Sequence, residues 1–170
     1  NGSANAYIAW ARKSNDPAAA TPYGGEACGN TMFARSTDNG VTWSAPVKLH
    51  TGGICVGGDF WPMDQIPGND RVHSHPAIAV DTSSGPAAGN VYVVYTANDA
   101  KDGGDVHFVR SVTGGTSFST PVRLNARPGV DRSQWFPYAT VAPSGRVYVI
   151  WYDQQSWPSG DWTETLMTFS

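Results

Sequence analysis

Glutamate, cysteine and charge of either sign are scarce in this sequence, and each shortage excludes something. Only 15 % of the residues are charged, and the acids divide into 12 aspartates against 2 glutamates. Aspartate competes for its own backbone in turns whereas glutamate favours helices, so the acids point to loops and long helices are not expected. Two cysteines in 170 residues are too few for a disulfide scaffold, and a chain of this length can build one core without metals or bridges. No basic run is present and the net charge is −3, which removes the electrostatic footprint for a nucleic-acid backbone. No stretch approaches the roughly 18 apolar residues of a helical membrane span. The first residues, NGSANAYIAW, carry neither a basic nor a long apolar region, so an export signal is expected to be removed or to lie upstream.

Glycine and proline are plentiful, 19 and 12 residues, and aromatics make up 12 %. That composition suits short strands and many tight turns. Three segments, AYIAWAR from Ala6, VYVVYTA from Val91 and VYVIWYD from Val147, are β-branched and aromatic and read as central strands. Ahead of the second and third lie HPAIAVD from His75 and FPYATVAP from Phe136, each joined to its successor by a glycine-containing turn. After the first two comes a repeated string: FARSTDNGVTWSAPVKL from Phe33 returns as FVRSVTGGTSFSTPVRL from Phe108. Naming the strands of one unit A to D, the chain reads B-C-D over residues 1–50, A-B-C-D over 75–125 and A-B-C over 134–170.

A repeated four-stranded antiparallel unit is the signature of a β-propeller blade. A two-sheet sandwich also has short, evenly spaced strands. It does not require two nearly identical strings 75 residues apart, which favours the propeller. The expected architecture is all-β, about two and a half blades, completed by other chains or by further sequence, because an open blade edge invites pairing.

Within the first copy, Asp38 is placed to accept backbone N–H groups across a hairpin turn, and Gly40 to take the positive φ that closes it. Trp43 then falls on the next strand as an apolar wedge. The string Ser36, Asp38, Gly40, Thr42, Trp43 resembles the Asp-box (BNR) repeat of the sialidase family. The second copy keeps Ser111, Gly115 and Phe118 but has Thr113 at the acidic position. The stretch DRSQWFPYATVAPSGRVYVIWYDQQ is also similar to secreted BNR-repeat proteins. The resemblance implies a sialidase-type propeller, a secreted or extracellular setting, and a structural box on the face opposite the family's active site.

The other face then carries the long connections: Lys13 to Asn30, Thr51 to Ser74, Asn98 to Asp105, Asn125 to Gln134 and the segment after Asp153. Long loops on one side of a scaffold mark its recognition side. Cys28 and Cys55 both fall there and are expected to form a disulfide, with two free thiols as the alternative. Asp99, Asp102 and Asp105 offer hard oxygens for Ca²⁺ without EF-hand spacing; a solvated loop tip is the plainer reading, and no cofactor is expected. Family sialidases use an arginine triad, an Asp acid/base and a Tyr nucleophile paired with a Glu. Arg12, Arg71, Arg127 and Arg132, with Asp59, Asp64, Asp70, Asp131 and Tyr23, lie at or near this face, but no string among them matches a catalytic motif. They serve equally well as loop caps and their ion partners. Trp61, Trp135, Trp157 and Trp162 suit stacking on sugar rings, or packing between blades. Two functions remain open: a recognition or scaffolding module for a glycan or protein surface, and an exo-acting sialidase-type glycoside hydrolase with part of its site elsewhere.

Overall fold

A computed structural model describes residues 5–12, 30–49, 55–56, 75–98, 105–125, 134–153 and 164–169. They hold eleven strands: β1 Ala6–Arg12, β2 Asn30–Ser36, β3 Val47–Lys48, β4 Cys55–Val56, β5 Ala77–Val80, β6 Val91–Asn98, β7 Asp105–Ser111, β8 Val122–Arg123, β9 Gln134–Val141, β10 Val147–Asp153 and β11 Glu164–Phe169. Among the described residues no helix is long and apolar enough to cross a membrane.

The strands form three antiparallel sheets in chain order. The first is β1-β2-β3. The middle sheet runs β5-β6-β7-β8, and the third β9-β10-β11. Each sheet is antiparallel between neighbouring strands. One element departs from expectation. The connection Thr51 to Ser74 contributes β4, which pairs with β6 at Ala97 and Asn98. The cause is a length mismatch: β6 has eight residues and β5 four, so the open end of the β6 ladder takes a second partner.

Burial shows how the sheets stack. In β6 the residues Val91, Val93, Tyr95 and Ala97 join Phe33 and Leu49 of the first sheet in one apolar cluster. Their alternates Tyr92 and Val94 join Ala139, Val147, Val149 and Trp151 of the third sheet in a second cluster. With a side-chain period of two, a strand covered on both faces must be apolar at every position, which is why VYVVYTA shows no polar alternation. A two-layer sandwich offers no such doubly covered sheet within the chain. The aromatic pairs repeat with the sheets: Tyr7 stacks on Phe33 at 5.9 Å between centroids, and Tyr92 on Phe108 at 5.8 Å.

Candidate functional site

The two repeated turns share one bonding frame. In the first, the Ser36 hydroxyl accepts from Gly40 N at 2.8 Å, and the Asp38 carboxylate accepts from Thr42 N at 2.8 Å and from the Thr42 hydroxyl at 2.6 Å. In the second, Ser111 Oγ accepts from Gly115 N at 2.8 Å, and Thr113 Oγ1 from Ser117 N at 3.0 Å. Thr113 therefore performs the bridging of the missing acid with one neutral oxygen. Both turns run through two consecutive left-handed residues, Asn39 and Gly40 at φ 60° and 88°, and Gly114 and Gly115 at 60° and 81°. Hydrogen bonds from the Ser36 and Thr42 hydroxyls and from Thr42 N hold the Asp38 pKa down to about 2. The bonds that the Asp38 carboxylate accepts, from the Ser36 hydroxyl, Thr42 N and the Thr42 hydroxyl, all lie within its own turn.

The second turn is also a wedge between sheets. Phe118 meets Phe33 edge-on at 4.7 Å between centroids, and Arg35 Nη1 donates to the Gly114 carbonyl at 3.2 Å. Trp43 behaves differently from the expectation that it packs under neighbouring elements, being 45 % exposed. Among the described residues its indole joins neither apolar cluster.

On the opposite face, where β6 ends and β7 begins, a buried polar chain joins the middle and third sheets. Asn125 is its pivot. Its Oδ1 accepts from Val106 N at 2.8 Å, while its Nδ2 donates to Asp105 Oδ1 at 2.5 Å and to Gln134 Oε1 at 2.7 Å. Gln134 Nε2 donates to Asp153 Oδ1 at 3.1 Å, and Trp151 Nε1 to Asp153 Oδ2 at 3.0 Å. Arg123 closes the other end on Asp105 Oδ2 at 3.2 Å. Burying two carboxylates is tolerable because each is met by donors. The chain pins the ends of the connections Asn98 to Asp105 and Asn125 to Gln134 and the start of the segment after Asp153.

Of the sequence candidates, Asp105 lies in this network, where Asn125 and Arg123 hold its oxygens and no group of three or more potential metal ligands forms among the described residues. Trp135 is 6 % exposed, with its ring 6.2 Å from that of Tyr152, so its indole is committed to packing and offers no open platform. Arg12 stands exposed at the loop end of β1. The remaining described arginines are spread apart in role: Arg35 on the Gly114 carbonyl, Arg110 exposed on β7, Arg123 on Asp105 and Arg146 over the Phe169 ring. Tyr23, Asp59, Trp61, Asp64, Asp70, Arg71, Asp99, Asp102, Arg127, Asp131, Arg132, Trp157 and Trp162 lie outside the described residues. So does Cys28, and for Cys55 only the backbone of β4 is described, leaving the disulfide an expectation.

Sequence reasoning passed over Asn125, Gln134 and Asp153 as functional positions, although each bounds a long loop. It also passed over a strained position. Phe136 has φ 50°. The register of β9 on β10 slips between Ile150 and Tyr152, leaving Phe136 and Pro137 together opposite Trp151. This β-bulge turns Phe136 outward beside Tyr152, the rings 6.3 Å apart. A left-handed bulky residue ahead of proline costs on the order of 1–3 kcal/mol, so the surrounding bulge must hold it.

No family model matches the chain, and no curated protein matches it. Among solved structures it is similar to a Hadza microbial sialidase, Hz136, at 16 % identity and a TM-score of 0.51, over 84 % of this chain and 29 % of that one. It also aligns with the GH43 BlXynB protein from Bacillus licheniformis, at 12 % identity and a TM-score of 0.34, over 99 % of this chain and 39 % of that one. The chain thus has an all-β, sialidase-type propeller fold and spans less than a third of the length of the sialidase it resembles.

Proposed function

We propose that the chain is part of an extracellular recognition or scaffolding propeller whose loop-rich face meets a glycan or protein surface. The observation that supports this best is the use made of the described charged groups on that face. Asp105 and Asp153 are buried and committed to Asn125, Gln134, Trp151 and Arg123, and the described arginines do not converge on one pocket. Such a face is suited to holding loops in place. A catalytic face needs a carboxyl free to exchange protons beside the substrate.

The second reading is a sialidase-type glycoside hydrolase with catalytic groups partly outside this chain, favoured by the fold shared with a sialidase. Fold alone does not choose between the two. Glycan-array binding by the purified protein, run beside hydrolysis of a fluorogenic sialoside between pH 4 and 8, separates them. Saturable binding without turnover supports recognition; turnover that survives repurification refutes it.

A further inference from the structure

We infer that the turn joining β5 to β6 and the turn joining β9 to β10 hold a hard cation between them, with the Asp81 carboxylate as its charged ligand and Ca²⁺ as the ion that suits it. The proposal does not depend on which function the loop-rich face performs.

The observation that carries it is a buried oxygen with nothing to bond. Asp81 follows β5 and is 2 % exposed. Its Oδ1 accepts from Ser83 N at 2.8 Å, and its backbone closes the turn on Asn90 and Gly89. Its Oδ2 is buried and has no hydrogen-bond partner. Asp105 and Asp153 are buried as well, yet a donor meets each of their oxygens. A carboxylate oxygen out of water and without a donor is unfavourable unless a positive charge compensates it or a proton neutralises it.

The turn of the third sheet supplies the gap. Asp81 Oδ2 and Ser83 Oγ lie 3.4 and 3.2 Å from where a Cβ on Gly145 would stand, so two oxygens of one turn converge on a residue of the other that has no side chain. Ser83 Oγ accepts from Gly85 N at 3.2 Å and keeps a second lone pair. Arg146, the neighbouring cation in the chain, lies instead over the Phe169 ring. Among the described residues no hydrogen bond or ion pair joins the two turns. At the other end of the same two sheets Asn125 and Gln134 make the tie; at this end the cation makes it.

Oxygen donors alone select a hard cation. No group of three acidic, imidazole or thiol side chains forms among the described residues, so the remaining ligands are backbone carbonyls of the two turns and water. Ca²⁺ accepts such irregular sets, whereas Mg²⁺ demands a near-ideal octahedron. With one charged ligand the site is weak, on the order of 10⁻⁴–10⁻³ M, as in extracellular modules.

The test is thermal unfolding of chelator-treated protein with Ca²⁺, Mg²⁺ or Na⁺ added at constant ionic strength. Ca²⁺ is expected to raise the midpoint and to saturate by about 10 mM, with a smaller effect of Mg²⁺ and none of Na⁺. Asp81→Asn is expected to abolish the Ca²⁺ response. Gly145→Ala fills the gap and is expected to lose most of it, whereas Gly89→Ala, equally left-handed at φ 84° but with open space around it, keeps it. Near-UV circular dichroism checks that each variant is folded; if Asp81→Asn is not, Ser83→Ala carries the test and is expected to weaken the response. Mn²⁺ added to ¹⁵N-labelled protein is expected to broaden the Ser83 and Gly145 amides ahead of those at the loop-rich face. A wild-type midpoint that Ca²⁺ does not move overturns the proposal. So does an equal response to Mg²⁺ or Na⁺, a Ca²⁺ response that Asp81→Asn or Gly145→Ala leaves intact, or broadening confined to the loop-rich face.

Discussion

Replacing Gly115 with alanine tests whether the second turn is wedged between two sheets. At φ 81° the backbone is left-handed, which costs an alanine about 1–2 kcal/mol wherever it occurs. The new Cβ would also lie 2.8 and 2.9 Å from two atoms of the Phe33 ring and 3.2 Å from Tyr7. Phe33 is fully buried and held by Phe118 and Tyr7, so the ring cannot swing aside, and overpacking of this kind adds about 1–3 kcal/mol. Gly89→Ala is the control, since Gly89 has φ 84° with nothing within 4 Å of the added atom. Its cost is the backbone share alone. Urea unfolding is the assay, and Gly115→Ala is expected to lose about 1–3 kcal/mol more than Gly89→Ala. In a Phe33→Ala background most of the excess should disappear, because the two closest contacts are to the Phe33 ring and only the 3.2 Å approach to Tyr7 remains. Equal losses for the two glycine variants, or an excess undiminished by removal of Phe33, would refute the reasoning.

Three further outcomes are expected. Asp38 has a folded-state pKa depressed to about 2 from 3.8, so its stabilising contribution is complete above about pH 4 and fades as pH falls toward 2; an NMR titration of its carboxyl carbon should show that low midpoint, and one near 4 would contradict the turn bonding. Thr113→Asp restores a carboxylate opposite Ser117 N and Ser111, and charge-assisted bonds should raise stability by up to about 1 kcal/mol; a loss would mean the frame of the second turn cannot seat the acid. Gln134→Leu removes an acceptor from Asn125 and a donor from Asp153 in a buried setting, at about 1–3 kcal/mol for each group left short, read by thermal unfolding; a loss below half a unit of that range would show the network to be dispensable.

Strand order was legible because the middle sheet is covered on both faces and its strands had to be apolar throughout, while the twin strings fixed where the hairpins close. The bridging by Thr113 was not read, because the sequence showed only that the acid of the first copy is missing from the second. The buried chain from Asp105 to Asp153 was not. Asn125, Gln134 and Asp153 are separated by loops, and their partnership exists only once the middle and third sheets are stacked. The burial of Trp135 and the exposure of Trp43 were not legible for a related reason: burial of an aromatic depends on which sheet lies beside it, and a sequence window contains one sheet at a time. β4 escaped notice because a two-residue strand has no period to detect.

β6 faces a different sheet on each side. Methyl NOE measurements on valine-labelled protein address it directly. Val93 should show contacts to first-sheet members of its cluster, such as Phe33 and Leu49, and Val94 to Ala139, Val149 and Trp151 of the third sheet. Finding both valines against the same sheet, or Val94 against solvent, would contradict the stacking from which everything else follows.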